Sequence, residues 1–165
     1  MSISQSFLSE LEYELPSTRK VLERVPQERL DWRPHAKSYS MGDLATHVAN
    51  LPTWGILILQ QPELDLASTW RMDAIRSGTE LLAFFDKNAQ DMRAALELAT
   101  DADFMEPWTL RMGEKKIFTM PRVAVYRSTV MNHLIHHRAQ LTVYLRLNDV
   151  PVPSIYGPTA DEPSL

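Results

Sequence analysis

Met131-Asn132-His133-Leu134-Ile135-His136-His137-Arg138 sets two histidines, His133 and His137, four residues apart inside the longest helical pattern of the chain. Residues at i and i+4 share one helix face with Cβ atoms roughly 5–6 Å apart, so the two imidazoles point the same way and can chelate. A third histidine, His47, is centred on the apolar face of an upstream run made by Leu44, Val48, Leu51, Trp54 and Ile58. An imidazole from that second helix would complete a three-histidine set with an open position, which catalytic metal centres use more than structural ones.

The surrounding pattern supports an inward location. At about 100° per residue, Tyr126, Val130, His133, His137, Leu141 and Tyr144 fall in a stripe roughly 80° wide, the width of a core-facing surface. Without a metal, three inward imidazoles would each need a partner, at roughly 1–3 kcal/mol for every unsatisfied group. One divalent ion serves all three. His136 falls beside the stripe and reads as a surface residue, and His35 reads as a loop residue next to Pro34.

Four helical segments emerge. Residues 4–25 carry Phe7, Leu8, Leu11, Leu15, Val21 and Leu22 at helical spacing, with a bend expected at Pro16, which lacks a backbone donor. Residues 26–39 form an irregular connection. Ser40 with Asp43 resembles a capping box and opens the second helix, where Pro52 should bend the chain one turn past His47. Residues 61–76 show no period and form a long crossover connection. Ser77 with Glu80 caps a third helix through Leu98. Between 107 and 120, Trp108-Thr109-Leu110 and Ile117-Phe118 flank Gly113, which suggests a short hairpin before the last helix. That helix runs over 121–148 with Pro121 in its first turn. The proline-rich 150–165 segment should form an extended tail. The expected fold is therefore all-α, a four-helix bundle in one domain over 1–165, with metal ligands projecting inward from facing helices.

Further residues are candidates around the histidines. Asp43 lies one turn before His47 and can orient its ring, as metal-bound imidazoles generally require, although helix capping competes for the same carboxylate. Trp54, Tyr126 and Tyr144 can line the open position or serve as plain core. Arg127 and Arg138 offer cations for an anionic substrate, with solvated arginines the plainer expectation, and Asp161-Glu162 reads as solvated chain.

Composition narrows the function. There are 165 residues, 44% hydrophobic and 23% charged, ordinary for a globular chain. With no cysteine, disulfides, thiolate ligands and a cysteine nucleophile are excluded, which leaves nitrogen and oxygen as the expected metal donors. A net charge of −4 argues against nucleic acid as a partner. Met1-Ser2-Ile3-Ser4-Gln5 lacks the pattern of a secretory signal, and no apolar run reaches the roughly 18 residues of a membrane span. A cytoplasmic location is expected.

Several motifs together resemble a known family: Trp32-Arg33-Pro34-His35, Ser40-Met41-Gly42-Asp43-Leu44-Ala45-Thr46-His47, Asn132-His133-Leu134-Ile135-His136-His137-Arg138-Ala139-Gln140-Leu141, Tyr144-Leu145-Arg146-Leu147 and Tyr156-Gly157-Pro158-Thr159-Ala160-Asp161-Glu162. In order, spacing and tail they are similar to the DinB/YfiT-like metalloenzymes. The resemblance implies a four-helix bundle, often a homodimer, with a divalent metal on one histidine of the second helix and an HxxxH pair of the last, positions occupied here by His47, His133 and His137. It also implies thiol chemistry, since characterised members include transferases that use bacillithiol and an isomerase dependent on mycothiol. Pro52, close after the first ligand, departs from the expected pattern.

Three neutral imidazoles leave a metal its full charge, which lowers the pKa of whatever fills the fourth position. Imidazole donors suit zinc, nickel, copper and iron alike; zinc or nickel is the expected ion, with iron or manganese next. A hydrolytic HExxH centre needs a glutamate after its first histidine, and here that residue is Leu134. The leading expectation is a metal-dependent transferase that joins an external low-molecular-weight thiol to electrophilic small molecules. A metal-dependent hydrolase of a small substrate and a non-catalytic metal- or ligand-binding stress protein are the alternatives.

Overall fold

The computed structural model of the chain describes residues 1–69 and 74–163, and four long helical stretches dominate it. The first, α1 (Ile3–Glu23), begins at a reciprocal capping box between Ser2 and Gln5 and runs through Pro16 as one helix. It buries Phe7, Leu11, Leu15 and Leu22. A 3₁₀ turn at Gln27–Arg29 starts the irregular connection, and α2 (Met41–Gln60) follows with Ser40 and Asp43 closing a full capping box. Helix α2 continues through Pro52 as one element. Near the proline, the buried Asn88 side chain donates to the Ala49 carbonyl at 3.1 Å.

The 61–76 connection is not structureless. It holds a three-residue strand, β1 (Glu63–Asp65), and a single helical turn, α3 (Leu66–Thr69); residues 70–73 of that connection, like 164–165 of the expected tail, lie outside the described residues. Helix α4 (Gly78–Leu98) has Ser77 accepting from the Glu80 backbone, half of the expected box. A short helix, α5 (Asp101–Met105), precedes the hairpin of β2 (Pro107–Met112) and β3 (Lys115–Pro121). Gly113 takes φ +58° in the turn, a left-handed conformation glycine adopts without strain.

The chain is mostly helical and β2 with β3 is the expected hairpin, but β1 extends it to a three-stranded sheet, so the fold is not purely α. The strands form one sheet in the order β1-β2-β3, with β1 parallel to β2 in the register Leu64↔Leu110 and β2 antiparallel to β3 in the register Thr109↔Thr119. A three-residue strand is too short to display a period of two, which is why β1 leaves no trace in the sequence pattern. Leu64, Trp108 and Leu110 turn inward and join the core.

The last helical stretch comprises α6 (Arg122–Tyr126), a π-helical segment (Arg127–Asn132) and α7 (His133–Leu147). The π segment interrupts what periodicity alone reads as regular α-helix. At its start Ser128 Oγ donates to the Ala124 carbonyl at 2.9 Å and Thr129 Oγ1 to the Val125 carbonyl at 2.7 Å. Helix α2 packs on α4 and α7, and α1 packs on α4 and α7, so α1, α2, α4 and α7 enclose a shared apolar cluster.

The final segment is extended, as expected, but anchored rather than loose. Asp161 pairs with Arg146 and accepts from the Val152 backbone at 2.8 Å, while Glu162 pairs with Arg24 at 2.6 Å and accepts from Ser154 at 2.8 Å. Among the described residues no helix is long and apolar enough to cross a membrane.

Candidate metal centre

His47 projects from the second turn of α2, and His133 and His137 from the first two turns of α7. The packing of α2 on α7 brings them together, with one ligand atom from each within 4.8 Å of the others. His137 Nε2 lies 2.8 Å from His133 Nε2, and His47 Nε2 lies 3.4 Å from His133 Nε2. All three rings are partly buried.

The opposite ring nitrogens explain the arrangement. His133 Nδ1 faces the Thr129 carbonyl at 3.3 Å, and His137 Nδ1 faces Gln140 Oε1 at 2.7 Å. Both acceptors call for a proton on Nδ1, which leaves each Nε2 as a lone pair. Two lone pairs at 2.8 Å repel unless a cation lies between them. Nε2 atoms held at the usual 2.0–2.1 Å on one tetrahedral ion would stand about 3.3 Å apart, close to the 3.4 Å between His47 and His133 and somewhat wider than the 2.8 Å between His133 and His137. The donor set, its tautomers and its convergence therefore fit a divalent metal.

Electrostatics point the same way. Burial first, then the neighbouring His137 and His133 rings, push His47 down from 6.5 to about 4. Burial also lowers His133, with His137 adding to it and the Thr129 carbonyl opposing. His137 is lowered by burial against the opposing bond to Gln140. All three rings are thus held neutral near pH 7, the form that binds metal. Among the described residues, no aspartate, glutamate, lysine or arginine side chain bonds to any of these imidazoles.

The other expected site residues divide. Trp54 stands edge-on to His133, with ring centroids 6.4 Å apart. Asp43 does not reach His47; its Oδ2 accepts from Ser40 Oγ at 2.6 Å, so capping took the carboxylate. Tyr126 is fully buried against Phe7 and Phe104, with ring centroids 4.6 and 6.0 Å away, and belongs to the core rather than the open position. Tyr144 is buried, edge-packed on Trp32 at 5.4 Å, and donates to the Tyr39 carbonyl at 3.2 Å. His136 is exposed beside His137, and His35 is exposed and accepts from the Lys37 backbone.

Neither arginine is a free cation. Arg127 makes a two-pronged pair with Glu10 at 2.5 and 2.6 Å. Arg138 is only 1% exposed and pairs with Glu14 at 2.6 Å, with further bonds to Thr18 Oγ1 and Tyr156 Oη. The residue that sequence reasoning missed is Tyr39. Its ring stacks on His47 at 6.0 Å and meets His137 edge-on at 6.4 Å, yet it sits in an irregular loop where no periodicity marks it.

Comparison with known proteins places the sequence and the fold. The sequence profile of the DinB superfamily matches residues 10–141. The uncharacterised protein YrdA of Bacillus subtilis (strain 168) is 25% identical over 159 residues, covering 94% of this chain and 89% of its own length. Among solved structures, a DinB-like protein from Bacillus cereus ATCC 10987 superposes with a TM-score of 0.70 at 24% identity, covering 92% of this chain and 97% of that one. The DinB-like protein YjoA of Bacillus subtilis gives 0.70 at 16% identity, covering 91% and 96%. A member of the same family from Exiguobacterium sibiricum 255-15 gives 0.68 at 19% identity, covering 93% and 97%.

Proposed function

Because the chain belongs to the DinB superfamily, we propose that His47, His133 and His137 hold one divalent metal, zinc or nickel before iron or manganese, in a transferase that joins a small external thiol to an electrophilic small molecule. The observation that carries this reading is the convergence of three Nε2 atoms while Nδ1 of His133 and His137 faces an acceptor. A divalent cation on that triad would favour the thiolate form of a thiol in its open position. The overall reaction is balanced as thiol plus electrophile giving thioether, with the thiol proton leaving on the displaced group.

The chain's own residues favour transfer over hydrolysis. Activating water calls for a nearby base, and among the described residues no carboxylate bonds to the triad; Leu134, after the first histidine of the pair, is buried. Thr129 and Gln140 fix the ring orientation. Tyr39 and Trp54 border the cluster with aromatic surface.

The four long helical stretches are read as the bundle of this family with a small sheet added, the 1–165 chain as one domain, and the protein as a cytoplasmic homodimer acting on small molecules rather than on nucleic acid or membrane. The deciding assay incubates metal-loaded protein with a panel of small thiols and a generic electrophile. Turnover above the uncatalysed rate that chelator abolishes supports the transferase. A rate no greater than background with every thiol contradicts it.

A further inference from the structure

The surroundings of the triad select a ligand shape. Tyr39 lies over His47 and meets His137 edge-on, while Trp54 stands edge-on to His133. Tyr39 immediately precedes the N-cap of α2 and Trp54 follows His47 by seven residues, roughly 10 Å along the helix. Aromatic surface therefore flanks the imidazoles at both ends of this part of α2.

Tyr39 is held rather than free. Tyr144 Oη donates to its carbonyl at 3.2 Å, Tyr144 is itself packed on Trp32, and Ser40 is fixed in the capping box. The residue nonetheless remains 54% exposed. A large aromatic ring anchored through its backbone, stacked on an imidazole and more than half exposed, offers flat apolar surface beside the triad.

From this we infer that the site takes ligands whose non-coordinating part is planar, an aromatic or conjugated group seated against Tyr39 or Trp54. The inference rests on the metal-thiolate reading above and adds the substrate class. Stacked and edge-on ring pairs are favourable beyond the area they bury, which sets the scale of the preference.

The test uses the full chain loaded with cobalt(II) and two thiols of similar size and acidity, phenethyl mercaptan and cyclohexylethyl mercaptan, with binding read from the sulfur-to-cobalt charge-transfer band. The phenyl thiol should bind roughly three- to tenfold more tightly. At least one of Tyr39→Leu and Trp54→Leu should shrink that ratio towards unity with cobalt content unchanged, and Tyr39→Phe should preserve it. Equal affinities for the two thiols, or a ratio that survives both leucine variants, would overturn the planar-ligand inference while leaving thiol binding intact. Failure of either thiol to produce the band would instead remove the metal-thiolate reading, and the inference with it.

Discussion

The Nε2 atoms of His133 and His137 stand 2.8 Å apart with the Nδ1 atom of each ring turned to an acceptor. Two lone pairs at that distance within α7 repel in the metal-free protein, and His47 Nε2 of α2 comes to 3.4 Å from the same His133 atom, so gathering the three rings carries an electrostatic cost that a cation removes. Bound metal should therefore stabilise the fold. Free zinc at a thousandfold excess over its dissociation constant should add about 4 kcal/mol to unfolding, provided the unfolded chain does not bind it. Thermal melts with zinc and with chelator check this, and superimposable melts would contradict it.

In the metal-free protein, stability should fall as pH drops below about 6.5. The folded state holds His47 near 4, against 6.5 for a free ring, with His133 and His137 also lowered. Between those values the unfolded chain binds more protons than the native one, so stability rises with pH across this window and is lost on acidification. Glu10, held below its ordinary 4.5 by Arg127, loses its contribution only at lower pH. Urea midpoints at pH 7 and pH 5 should differ in the wild type and differ less in His47→Ala.

The Arg138–Glu14 pair ties α7 to α1, and Tyr156 Oη bridges both, donating to Glu14 Oε1 at 2.6 Å and accepting from Arg138 at 2.9 Å. Removing one charge strands the other in the core, at roughly 3–5 kcal/mol. Arg138→Met should therefore be strongly destabilising, whereas Arg138→Met combined with Glu14→Leu should recover much of the loss. Urea unfolding of the single and double variants measures the coupling; additive effects would contradict it.

Tyr126 Oη is buried and has no hydrogen-bond partner among the described residues, and burial pushes the phenol strongly upward. Tyr126→Phe should raise stability by about 1 kcal/mol, because an unsatisfied group is removed and the ring retained. Gly55 allows this packing. A Cβ there would come within 2.9 Å of both Tyr126 Oη and Met92 Sδ, so Gly55→Ala should destabilise by roughly 1–3 kcal/mol. Denaturant midpoints of the two variants should move in opposite directions.

The triad was legible because i, i+4 spacing and a centred apolar face are both properties of one chain segment, and His47, His133 and His137 do converge. The three major caps at Ser2, Ser40 and Ser77 likewise act within three residues, though only the latter two were read from sequence. What escaped detection depends on contacts remote in sequence or on departures from regular helix. Arg138 looked solvated since its partners Glu14 and Tyr156 lie on other elements. The π segment at Arg127–Asn132 is a local change of helical pitch, which a fixed 100° projection cannot register. Tyr39 gained its place from Tyr144 beneath it, and β1 from pairing with β2 across the whole of α4.

Metal content of the purified protein, by elemental analysis of the wild type beside His47→Ala, His133→Ala and His137→Ala, tests the central claim most directly. One divalent ion per folded chain, lost in each alanine variant while the helical circular dichroism persists, is the predicted result. Equal metal occupancy in all four proteins, or none in a wild type exposed to excess zinc and nickel, would contradict it.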